Sequence, residues 1–166
     1  MNYRFLLLLV PALTLFLTAC SDDDDQYQFD QCTTEYITIE EFAAADTLMY
    51  DTLENTGLLY YIADSGSVEK PNANSDVIAN YVGYFTDGQA FDGTTNATGP
   101  ASFNLQQVID GWMLGVPLIG KEGRIRLLIP SELAYGSQGA RDQSGNYVIC
   151  PDTDLVFNIQ LVDFAD

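Results

Sequence analysis

Tyr81-Val82-Gly83-Tyr84-Phe85-Thr86-Asp87-Gly88-Gln89-Ala90-Phe91-Asp92 reads as a strand, a tight turn and the start of a returning strand. Aromatic and β-branched residues fill the arms, and Asp-Gly supplies the left-handed backbone of a hairpin. Downstream, Leu105, Val108, Ile109, Trp112 and Met113 recur at i, i+3, i+4, i+7 and i+8, one face of an amphipathic helix, and this turns Trp112 inward. Near the C-terminus Leu155, Phe157, Ile159 and Leu161 alternate with Val156, Asn158, Gln160 and Val162, the period of a half-buried strand. Its apolar face carries Phe157 toward the helix. Between helix and strand, Gly123 to Ile129 reads as a strand stopped by Pro130, and Ser131 to Cys150 as a long loop around Ala134-Tyr135-Gly136.

Leu58 to Ala63 and Asp76 to Phe85 read as two earlier strands, and Gly93 to Pro100 as a surface loop. The pattern predicts an α+β domain: about five antiparallel strands in a curved sheet wrapped around one short helix. Upstream, Thr38 followed by Glu41 reads as a capping box opening a short helix with Ile39, Phe42 and Ala43.

Composition narrows the chemistry. The chain carries 24 acidic against 6 basic residues, a formal net charge of −18, so phosphates are repelled and nucleic acid is not an expected partner. Histidine is absent, which removes the commonest general base and metal ligand. No metal and no cofactor are expected. What remains is chemistry without proton transfer.

Residues 1–19 read as a bacterial lipoprotein signal peptide, with Arg4 in the n-region and Phe5 to Leu17 as the apolar core. Leu17-Thr18-Ala19-Cys20 looks like a lipobox, which predicts cleavage before Cys20 and acyl chains on Cys20. The apolar stretch, interrupted by Pro11, falls short of the roughly 20 residues that span a bilayer. Ser21-Asp22-Asp23-Asp24-Asp25 is either a solvated spacer or, by similarity to acidic lipoprotein export signals, an address to the outer face of the outer membrane. The expected location is the cell envelope, with either leaflet open. With Cys20 lipidated, Cys32 and Cys150 remain, and in an exported protein they either pair or stay free.

The hairpin, Val108-Ile109-Asp110-Gly111-Trp112 and Ala134-Tyr135-Gly136, in that order, closely resemble the FKBP-type peptidyl-prolyl cis-trans isomerases. The resemblance covers residues 57–166, leaving 20–56 as lipidated cysteine, tether and N-terminal extension. It implies an isomerase of X-Pro bonds in exported polypeptides. Trp112 would floor the proline pocket and Tyr81, Phe91, Val108, Ile109 and Phe157 would wall it. Tyr135 would offer its phenol to the substrate carbonyl, Asp92 would sit at the rim, and Val148 and Ile149 would close one side. Three positions depart from the family pattern, and the loop from Arg141 to Tyr147 is longer than usual. Ala97 stands near where a basic residue often pairs with the aspartate, Ala101 replaces an aromatic wall residue, and Ala140 stands where a histidine is frequent. These imply a more open pocket and weakened macrolide binding. The alternative is a chaperone or binding module on the same fold with little activity.

Overall fold

In the computed structural model, the described residues are 32–166. The signal peptide, Cys20 and the acidic run lie outside them. Seven strands form one antiparallel sheet: β1 (Asp51–Thr52), β2 (Leu59–Asp64), β3 (Asp76–Phe85), β4 (Ala90–Gly93), β5 (Ala101–Asn104), β6 (Arg124–Ile129) and β9 (Leu155–Ala165). Their order is β1-β2-β6-β9-β3-β4, with β5 also paired to β3. A separate hairpin of β7 (Ala140–Arg141) and β8 (Tyr147–Ile149) stands in the long loop. The expectation of about five strands therefore undercounts the sheet by two short edge pieces, β1 and β5.

Inward-facing residues of the long strands form the core with the helix. Leu127, Ile129, Leu155, Phe157, Ile159, Val77 and Ala79 are buried there beside Leu105, Trp112 and Val116. The helix α2 (Asp110–Gly115) sits close because Gly111 and Gly115, four residues apart, present no side chain to β6. A Cβ at Gly111 would lie 2.5 Å from Ile129 Cγ2, and one at Gly115 2.6 Å from Leu127 Cδ1. That approach fixes the height of Trp112 over the sheet.

The single amphipathic helix expected from Leu105 to Met113 is in fact two pieces. Leu105–Gln107 is a 3-10 turn capped by Asn104, and α2 begins only at Asp110. Val108 (φ −108°, ψ 176°) and Ile109 (φ −61°, ψ 148°) between them are extended. The apolar spacing survives because both pieces face the same core.

Half-burial of β9 also needs correction, since Val156 on its outer face is only 2% exposed. The cover is α1 (Ile39–Ala45), whose capping box forms as read: Glu41 N–H donates to Thr38 Oγ1 at 3.2 Å, and Thr38 N–H to Glu41 Oε2 at 3.2 Å. Ile39, Leu128 and Val156 make a second small core under this helix, flanked by Leu59 and Tyr84. Asp154 anchors the helix start, accepting from Ile39 N–H at 3.1 Å and from Ser131 N–H at 2.9 Å.

The segment before α1 is strapped down as well. Cys32 and Cys150 are joined by a disulfide, with Cα atoms 5.6 Å apart. Tyr36 stacks on Phe85 at 4.9 Å between ring centroids, and Thr86 Oγ1 donates to the Ile37 carbonyl at 2.8 Å.

Candidate active site

Strand alternation sends Tyr81, Gly83 and Phe85 of β3 to the inner face, and register sets Gly83 opposite Phe157 of β9 and Asp92 of β4. Four rings then converge with Trp112. Tyr81 meets Trp112 edge-on at 5.2 Å and 86°, Phe157 meets it at 5.5 Å and 90°, and Phe103 lies 5.3 Å away. Phe91 packs edge-on to Phe157 at 5.6 Å. Edge-to-face packing of this kind holds rings rigidly, so the cavity they border is preformed.

That cavity measures about 520 Å³ and is lined by Tyr81, Phe91, Asp92, Phe103, Val108, Ile109, Trp112, Tyr135 and Phe157, with Gln107, Asp110 and Ala134 at its edge. Trp112 is 3% exposed and is among the residues that line the cavity. Gly83 is required here, because a Cβ would lie 2.6 Å from Phe91 Cζ and 2.8 Å from Phe157 Cε1. The break between Leu105–Gln107 and α2 sets Val108 and Ile109 on the wall.

The polar groups sit on one side. Tyr81 donates its hydroxyl to Asp92 Oδ2 at 2.7 Å. Burial, with the bond to Asp92 and its charge, pushes the Tyr81 phenol far above the ordinary tyrosine value. Burial and the Asp92 charge also raise Tyr135. Both phenols are neutral donors at physiological pH. Tyr81 has spent its proton on Asp92, while the Tyr135 hydroxyl has no protein partner among the described residues, and Tyr135 as a whole is 38% exposed.

Eight of the residues named from sequence line this cavity: Tyr81, Phe91, Asp92, Val108, Ile109, Trp112, Tyr135 and Phe157. Val148 and Ile149 do not. Neighbours on a strand face opposite ways, so Ile149 is buried at 3% in the core while Val148 is 51% exposed. Phe103, not named from the sequence, also lines the cavity, whereas Ala101 does not. Ala97 leaves no cation beside Asp92, whose partner is Tyr81 instead. Ala140 lies in the β7–β8 hairpin, where the Arg141 guanidinium covers the Tyr147 ring at 3.5 Å. Among the described residues no group of three or more His, Cys, Asp or Glu side chains could hold a metal ion, and no helix is long and apolar enough to cross a membrane.

The family model for "FKBP-type peptidyl-prolyl cis-trans isomerase" matches residues 67–162, more than half of the chain. The chain belongs to this FKBP family. Among similar FKBP proteins, the isomerase FkpA of Escherichia coli is 40% identical over 109 residues, covering 66% of this chain and 38% of the relative. The outer membrane protein MIP of Legionella longbeachae is 35% identical over 107 residues, 64% of this chain and 44% of that protein. The chain thus spans about two fifths of the length of the curated relatives it matches. The crystal structure of a peptidyl-prolyl cis-trans isomerase from Pseudomonas syringae superposes with a TM-score of 0.64 at 35% identity, covering 76% of this chain and 90% of that one. The crystal structure of Escherichia coli FkpA gives 0.64 at 38% identity, over 75% and 55%. The α+β FKBP fold follows from both.

Proposed function

We propose that this protein is a peptidyl-prolyl cis-trans isomerase acting on exported polypeptides, anchored in the cell envelope by lipid on Cys20. The observation that carries the reading is the rigid aromatic cavity floored by Trp112, with one unspent donor, the Tyr135 hydroxyl, at its side. A planar X-Pro amide owes its rotational barrier of about 18 to 20 kcal/mol to a charge-separated resonance form that water stabilises. In the aromatic cavity the amide loses that solvation, and the twisted, less polar transition state is favoured. A reduction of about 6 kcal/mol would accelerate rotation on the order of 10⁴-fold. Asp92 holds Tyr81 in place, and Tyr135 steadies the carbonyl of the residue before proline. No nucleophile takes part.

Catalysed isomerisation of a short X-Pro peptide by residues 32–166 tests the activity. As Trp112 is the only tryptophan, its fluorescence also reports occupancy, and a saturable change with a proline peptide that disappears in Phe91→Ala supports the site. No rate above background at micromolar protein overturns the assignment.

Envelope anchoring is supported by the signal sequence, the lipobox-like Leu17-Thr18-Ala19-Cys20 and the likeness to an outer membrane protein. Metabolic labelling with palmitate, lost in Cys20→Ala, tests it. The departures at Ala97, Ala101 and the long loop motivated a chaperone reading, which predicts that suppression of client aggregation outlives isomerase activity in Tyr135→Phe.

A further inference from the structure

The outer face of the sheet divides into three cross-strand rows. The first, Leu59, Leu128, Val156 and Tyr84, is apolar and lies under α1. The second, Tyr61, Arg126, Asn158 and Val82, and the third, Arg124, Gln160 and Asn80, run beyond the helix and are polar apart from Val82. Leu48 on one side and the 94–100 loop on the other wall them into a cleft of about 850 Å³, larger than the aromatic cavity and on the opposite face. The aromatic rings and Asp92 and Tyr135 are not at this cleft; apart from Tyr81, whose strand borders both, it shares no residue with the isomerase pocket.

Its lining runs against the composition of the chain. A protein with 24 acidic and 6 basic residues places two of the six, Arg124 and Arg126, here and no carboxylate. Arg126 is held in position: Nε donates to Asn158 Oδ1 at 2.7 Å, and Nη1 donates to Asp46 Oδ2 at 2.8 Å and to Tyr50 Oη at 3.3 Å. These bonds leave Nη2 unspent. They also use the Asn158 side-chain oxygen, which leaves its amide donor unspent. Gln160 Oε1 accepts from Asn80 Nδ2 at 3.5 Å, which leaves the Gln160 amide donor free as well. Arg124 is exposed and has no hydrogen-bond partner among the described residues, although Asp64 is its cross-strand neighbour.

We propose that this cleft binds an acidic oligosaccharide, with a uronate-type carboxylate on Arg124 and ring hydroxyls on the amides and on Tyr61. The unspent groups are mostly donors, which calls for a ligand rich in acceptors. Arg126 is already paired with Asp46, so the exposed Arg124 guanidinium is the group that suits a carboxylate, whose charge-assisted bonds are about twice as strong as neutral ones. The unspent amide donors of Asn158 and Gln160 suit the oxygens of ring hydroxyls, and the Asn80 side-chain oxygen can accept from one. The overall negative charge does not forbid an anion, because at physiological salt charges beyond about 8 Å are screened whereas contacts at hydrogen-bond distance are not.

The test is a nitrogen-15 NMR titration of the protein with trigalacturonate, with maltotriose and hexaglutamate as comparators. Expected are saturable shifts of the Asn80, Asn158 and Gln160 side-chain amides with trigalacturonate, weaker ones with maltotriose, and affinity that falls with added salt. Arg124→Ala should weaken binding about tenfold or more while leaving X-Pro isomerisation unchanged. Equal binding of maltotriose, tighter binding of hexaglutamate, no saturable shift at millimolar trigalacturonate, or insensitivity to Arg124→Ala would each overturn the proposal. Isomerase activity is measured independently, so failure here leaves the aromatic pocket untouched.

Discussion

The Tyr81 hydroxyl donates to Asp92 Oδ2 at 2.7 Å, from the middle of β3 to β4 beside it, and so ties the carboxylate to the ring that meets Trp112 edge-on. The bond orients both residues at the rim of the aromatic cavity. Tyr81→Phe keeps the ring and removes the donor. It should lower kcat/KM for a short X-Pro peptide about tenfold, the scale of a hydrogen bond to a charged group, with the near-UV circular dichroism unchanged. Full activity in Tyr81→Phe would show that this bond has no part in the reaction.

Gly83→Ala puts a methyl group where Phe91 Cζ and Phe157 Cε1 lie 2.6 and 2.8 Å away. Neither ring can retreat without disturbing Phe85 or Trp112. Overpacking of this kind costs about 1–3 kcal/mol, seen as a lower midpoint in chemical denaturation. Binding of a proline peptide should fall with it, as the rings move into the cavity.

Tyr36, Tyr50, Tyr81 and Tyr135 all have phenols raised above the ordinary value, in each case chiefly by burial. A raised phenol means that the folded state holds its proton more tightly than the unfolded chain. Its stabilising contribution is complete below the unfolded value near pH 10 and is lost as pH rises above it. Denaturation midpoints should therefore not decline through phenol ionisation between pH 7 and 9, and should drop beyond pH 10. Difference absorbance should show phenolate appearing together with unfolding.

Cys150→Ser should release the strap formed by residues 32–38 while the sheet persists. The bond links residues 118 apart, and a loop of that order contributes up to about 5 kcal/mol in the chain-entropy picture. Limited proteolysis should cut before α1 in the variant or after reduction, and leave the oxidised protein intact at that point. Equal resistance in both forms would show that Tyr36 on Phe85 and Ile37 with Thr86 suffice to hold the strap.

Much of this site could be read from the chain because its residues sit on elements with clear periods. Tyr81 and Phe157 fall on long alternating strands, and Trp112 on a helical spacing. The spacing could not reveal that Val108 and Ile109 are extended, since a 3-10 turn followed by an α-helix can bury the same residues as one continuous helix. Phe103 escaped because β5 has only four residues, Ala-Ser-Phe-Asn, too few to show alternation. The resemblance set Val148 and Ile149 together on one side of the pocket, yet adjacent strand positions must face apart. Val156 was taken for a solvent-facing residue because nothing in β9 itself announces that α1, over 100 residues earlier, will cover it.

The covalent link between Cys32 and Cys150 also sets an order of events for an exported chain. If the chain is exported N-terminus first, Cys32 emerges well before its partner, which lies 118 residues behind it. The strap is therefore locked only after β2 to β8 have been delivered and the domain is nearly complete, and only in an oxidising compartment. Until then Cys32 is a reduced thiol, and any bond it makes to another thiol has to be exchanged before the strap can close.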